Sequence, residues 1–123
     1  MKRKFGAEME AYSLESGYVR VARKSEVPTG KMKLVTVEGK EILIVNVNGT
    51  YYAIGGKCTH AKVDLSRGSI QGSVVTCPKH GAQFDATSGK LVVPPRIGPF
   101  RRNIPDEPSY QVKVVGDDIT IKL

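Results

Sequence analysis

"MKLVTVEGKEILIVNVNGTYYAI", Met32–Ile54, decides the fold. It strings β-branched and aromatic residues into short runs that meet at two turn signals, Gly39-Lys40 and Asn48-Gly49. Asn-Gly between apolar runs is the strongest short-range hairpin signal, because its tight turn needs two residues that tolerate positive φ. The stretch therefore predicts three antiparallel strands in succession. Outward on the N-terminal side, "YVRVAR" (Tyr18–Arg23) alternates apolar and polar. On the C-terminal side, "YQVKVVGDDITIKL" (Tyr110–Leu123) folds back around Gly116-Asp117. Short strands at this spacing with few helical stretches predict an all-β chain, a small antiparallel sandwich or barrel. Residues 1–17 read as an N-terminal arm or short helix, and residues 18–123 as the domain proper.

Two segments break the strand pattern. "VVPPRIGPFRRNIPDEPS" (Val92–Ser109) carries five prolines. Proline at this density excludes a central strand and predicts an extended, stiff loop. The other segment, Lys57–Asp85, holds both cysteines and both histidines of the 123-residue chain. They fall as Cys58-x-His60 and Cys77-x-x-His80, with sixteen residues between the pairs. One or two intervening residues let a single turn aim both side chains of a pair at one place. Gly55, Gly56 and Gly81 flank the pairs and would permit crowded or left-handed backbone around a metal.

Taken singly, Cys58 and Cys77 read as buried thiols or one disulfide, and His60 and His80 as ordinary surface or core histidines. Two tight Cys/His pairs together point to a metal or cluster site. One Zn²⁺ held by two thiolates and two imidazoles is chemically sensible, but zinc-finger pairs usually match like with like. A [2Fe–2S] cluster of the Rieske kind also takes two Cys and two His.

"CTH" and "CPKHGAQFDATSGK" resemble the two boxes of the Rieske family, and the similarity extends over roughly residues 18–123. The resemblance implies a sandwich of three antiparallel sheets with a small inserted cluster-binding lobe, here about 55–95. It implies one [2Fe–2S] cluster per chain, with Cys58 and Cys77 on one iron and His60 and His80 on the other. Rieske proteins of cytochrome bc complexes add an inter-loop disulfide; the corresponding positions resemble Val63 and Lys79, so no such clamp is expected. Their serine and tyrosine donors to cluster sulfur correspond to Ala82 and Phe84. Fewer donors stabilise an added electron less, so the potential is expected in the lower half of the Rieske range of about −150 to +300 mV. The likeness is to the ferredoxin branch. Val93-Pro94-Pro95 matches the loop that covers the family's cluster, and "RIGPFRRN" looks longer and more basic than usual.

These readings predict a one-electron carrier between a redox donor and an acceptor protein, not an enzyme. Both histidines are committed to the cluster, which leaves none for a mononuclear oxygenase iron. No dinucleotide fingerprint or P-loop is present. The alternatives are a small Rieske subunit of a larger reductase or oxygenase complex, or a zinc-binding interaction module. A net charge of +7 suits an acidic docking partner. The basic residues are scattered without interleaved aromatics, so nucleic acid is not expected. No apolar run reaches a membrane span. The basic start, "MKRK", lacks an apolar region behind it, so no secretory leader is expected and the cytoplasm is the default compartment. A monomer is expected.

Overall fold

The structure, a computed structural model, describes residues 17–59 and 61–123. The arm or helix expected over residues 1–17 therefore lies almost wholly outside the described residues. The described chain is strand and turn, with 3-10 turns at Lys24–Glu26 and Leu65–Arg67 and no α-helix. Its strands in order are β1 (Tyr18–Arg23), β2 (Met32–Val37), β3 (Lys40–Val47), β4 (Thr50–Gly55), β5 (Ser69–Gln71), β6 (Val74–Thr76) and β7 (Gln83–Asp85). They continue as β8 (Leu91–Val93), β9 (Arg96–Ile97), β10 (Phe100–Arg101), β11 (Ser109–Tyr110), β12 (Val112–Val115) and β13 (Asp118–Lys122).

Three sheets and one small hairpin result. An outer sheet runs β1-β13-β12, a middle sheet β11-β4-β3-β2, and a third sheet β5-β6-β7-β8, while β9 and β10 pair alone. Every pairing is antiparallel. The hairpin turns follow from local chemistry. Val47 pairs with Thr50 around Asn48 (φ 53°) and Gly49 (φ 93°), the twin positive φ of a type I′ turn. Val37 pairs with Lys40 around Glu38 (φ 51°) and Gly39 (φ 80°). That turn sits one residue earlier than the Gly39-Lys40 reading, because Glu38 itself takes the left-handed conformation.

β3 explains the layering. Ile42, Leu43, Ile44 and Val45 are all fully buried, although successive strand residues point to opposite faces. Ile42 and Ile44 join Ala22, Tyr51, Ala53, Ile119 and Ile121 in the core against the outer sheet. Leu43 and Val45 join Ile54, Leu65, Val75 and Phe84 in the core against the third sheet. A strand covered on both faces reads as a continuous apolar run rather than an alternation. Burying each such side chain contributes about 1.5–3 kcal/mol.

The proline-rich loop is more structured than its composition predicts. Ile97 pairs with Phe100 and Arg96 with Arg101 across a two-residue turn, Gly98-Pro99, in which Gly98 takes φ 62°. Glycine at the first turn position supplies the positive φ, and the ring of Pro99 fixes the second. The prolines keep this pair out of the three sheets but do not prevent an isolated hairpin.

Candidate metal centre

Each cysteine sits at the start of a narrow loop closed in the same way. The Cys58 N–H donates to the Val63 carbonyl at 2.8 Å, and the Cys77 N–H donates to the Ala82 carbonyl at 2.7 Å. In both loops the bond spans five residues. The first loop is tightened by the Lys62 N–H on the Cys58 carbonyl at 2.8 Å, with Lys62 at φ 55°. It then enters the Leu65–Arg67 turn, where Asp64 Oδ1 accepts from the Ser66 N–H at 2.8 Å, an N-cap. The second loop joins β6 to β7 and turns through His80 (φ 67°) and Gly81 (φ 72°). Gly81 thus serves backbone freedom, as expected. Gly55 and Gly56 serve close packing instead: a Cβ at Gly56 would lie 2.3 Å from Leu34 Cδ1.

The two loops bring Cys58 and Cys77 together at the edge of one core, both buried and both free, so neither is in a disulfide. Burial pushes the Cys77 thiol up to about 11; the Cys58 sulfur beside it adds to the rise, and a hydrogen bond from the Lys79 backbone amide opposes it. His80 is exposed at the tip of the second loop. His60 lies outside the described residues. Among the described residues no three of the Cys, His, Asp and Glu side chains converge on one point that would hold a single ion. The amide aimed at Cys77 sulfur suits a thiolate ligand, which must lose its proton to bind metal.

Ala82 and Phe84 are fully buried in the same core as Cys58 and Cys77 and offer no side-chain donor.

A strap made by Pro105–Pro108 ties the first loop to the end of β4 and to the β7–β8 connection. The Thr59 hydroxyl donates to the Pro105 carbonyl at 2.8 Å. The Leu91 N–H donates to Asp106 Oδ1 at 2.9 Å. The Glu107 N–H donates to the Gly89 carbonyl at 2.8 Å, and the Gly55 N–H to the Pro108 carbonyl at 2.9 Å. This strap buries Glu107 to 4% exposure. Its Oε1 lies against Gly55, where a Cβ would come within 2.3 Å of it. Oε2 finds no hydrogen-bond partner among the described residues. Burial raises the Glu107 carboxyl to about 7, against the opposing pull of the Thr59 backbone amide. Sequence reasoning missed this residue, because a glutamate between Asp106 and Pro108 in a polar loop looks solvated.

Comparison with known proteins agrees with this geometry. Residues 17–110 match the Rieske [2Fe-2S] domain family. The chain is 36% identical over 98 residues to the ferredoxin component of a naphthalene 1,2-dioxygenase system from Pseudomonas aeruginosa, covering 80% of this chain and 88% of that protein. It is 33% identical over 105 residues to the ferredoxin component of biphenyl 2,3-dioxygenase from Rhodococcus jostii, covering 85% and 91%. Among solved structures, the ferredoxin of carbazole 1,9a-dioxygenase from Nocardioides aromaticivorans superposes with a TM-score of 0.74 at 28% identity, over 87% of this chain and 98% of that one. The chain therefore belongs to the Rieske [2Fe-2S] family. It is a Rieske-type ferredoxin, an electron carrier whose cofactor is a [2Fe–2S] cluster.

Proposed function

We propose that this chain is the ferredoxin component of a multi-component oxygenase system, receiving one electron at a time from a reductase and passing it to a terminal oxygenase. The cluster, when bound, supplies a single reversible one-electron couple. The chain's own residues hold and shield it. Cys58 and Cys77 bind one iron through their buried sulfurs, and His60 and His80 bind the other. The observation that carries this assignment is the pair of loops closed in identical register, which presents two buried thiols to each other. A zinc module is disfavoured, since the chain matches the Rieske [2Fe-2S] domain and ferredoxin components of dioxygenase systems. The relatives matched over most of their length are named ferredoxin components or a ferredoxin subunit of dioxygenase systems, which supports a carrier that serves an oxygenase.

The finer readings follow from the same residues. Cysteines used as ligands rather than in a disulfide fit a reducing, cytoplasmic compartment. No helix among the described residues is long and apolar enough to cross a membrane. A net charge of +7 suits partners whose docking surfaces are acidic, and we take the chain to act as a monomer. The lack of a side-chain donor at Ala82 and Phe84 supports a potential in the lower half of the Rieske range. Iron and acid-labile sulfide analysis of anaerobically purified protein, with electron paramagnetic resonance after reduction, tests the assignment. Two iron and two sulfide per chain with a Rieske-type signal are expected. A colourless protein holding one zinc would refute it.

A further inference from the structure

The β9–β10 hairpin carries a feature that the fold does not need. Phe100 is 73% exposed, the most exposed large apolar side chain among the described residues and the only aromatic in that group. A phenylalanine left in water forgoes the stabilisation that burial gives an aromatic ring. Around it stand Arg96, Arg101 and Arg102, all exposed, with exposed Lys79 on the neighbouring ligand loop. No acidic residue occurs from Val93 to Ile104.

This hairpin is also firmly rooted. The Arg96 N–H donates to the His80 carbonyl at 2.9 Å, and the Arg102 N–H to the Pro95 carbonyl at 3.0 Å. The Arg101 guanidinium donates to the Pro94 carbonyl at 2.7 Å. Pro95 is buried and Ile97 half-buried, so the base of the hairpin packs while its tip projects.

We propose that this hairpin is a recognition finger for the terminal oxygenase, with Phe100 entering an apolar pocket on that partner rimmed by carboxylates. The inference rests on the proposed function and deepens it by naming the partner's chemistry. An aromatic anchor ringed by cations calls for an apolar pocket with an acidic edge. The ring supplies affinity; Arg96, Arg102 and Lys79 supply attraction during encounter. Because the root of the finger is bonded to the main chain of His80, docking there seats the partner beside the ligand loop.

The experiment is stopped-flow oxidation of the reduced holoprotein by two acceptors. One is the oxygenase component of the naphthalene 1,2-dioxygenase system of Pseudomonas aeruginosa, whose ferredoxin component is a relative of this chain. The other is hexacyanoferrate(III), which takes one electron with no apolar pocket. Phe100→Ala is expected to slow transfer to the oxygenase about ten-fold, the effect of truncating an interface anchor. It should leave the midpoint potential and the hexacyanoferrate rate unchanged. Arg96→Gln with Arg102→Gln should lower the oxygenase rate at low salt and flatten its salt dependence. An undiminished oxygenase rate in Phe100→Ala overturns the finger. So does wild-type protein that reduces hexacyanoferrate but not the oxygenase, a result that leaves the electron-carrier reading standing. Reduction of neither acceptor removes both. Binding to phosphatidylglycerol vesicles that is lost in Phe100→Ala would assign the hairpin to a lipid surface and also overturn the proposal.

Discussion

Glu107→Gln isolates the energetic consequence of a carboxyl buried under the strap. In the folded protein this group titrates near 7, raised by burial from an ordinary 4.5. Below the ordinary value the carboxyl is protonated whether the chain is folded or unfolded, and it contributes nothing to the pH dependence. Between the two values the unfolded chain has lost the proton while the folded chain keeps it, so stability falls as pH rises. Above 7 the folded protein carries a buried carboxylate and bears the full cost. At about 1.4 kcal/mol per unit, a rise of this size corresponds to about 3 kcal/mol. Glutamine keeps the shape and the oxygen that faces the Thr59 amide, but cannot ionise. Urea midpoints measured anaerobically from pH 5 to 8.5 should therefore show parent and variant within about 1 kcal/mol at the acid end. Toward pH 8.5 the variant should gain by up to about 3 kcal/mol. A difference between the two proteins that stays constant across this range would refute the reasoning.

The remaining outcomes follow from neighbouring residues. Cys58→Ser or Cys77→Ser should abolish stoichiometric iron and sulfide, and His80→Ala should abolish the cluster or replace its spectrum, read by absorbance and paramagnetic resonance. Ala82→Ser places a hydroxyl in the core that Cys58 and Cys77 share and should raise the midpoint potential, measured by protein-film voltammetry. Leu43→Ala removes a fully buried side chain from the core against the third sheet and should cost about 2–5 kcal/mol in denaturation. Gly89→Ala should cost about 2 kcal/mol or more and lower the thermal midpoint, since Gly89 has φ 81° and a Cβ there would lie 2.2 Å from the Glu107 carbonyl oxygen.

The hairpins were legible because their turns are encoded locally. Asn48-Gly49 and Gly116-Asp117 stand where the chain reverses, and the paired Cys/His spacing marked the two loops before any geometry was known. The layering was harder to read, because β3 is apolar on both faces and its four successive large residues do not reveal which core each one joins. The β9–β10 hairpin was hidden by proline content, which forbids sheet membership but permits a turn when glycine precedes proline. Glu107 was invisible for a different reason. Its burial is imposed by Gly55 and Gly89, residues distant in sequence, whose missing side chains make the space that the strap fills.

The shared register of the Cys58 and Cys77 loops bears on biogenesis. Half of the sulfur donors emerge from the ribosome well before the other half, with β5 and β6 between them. A nascent chain halted after β5 presents one lone thiol and no second loop to oppose it. A site that needs both loops is therefore complete only once translation has passed β7.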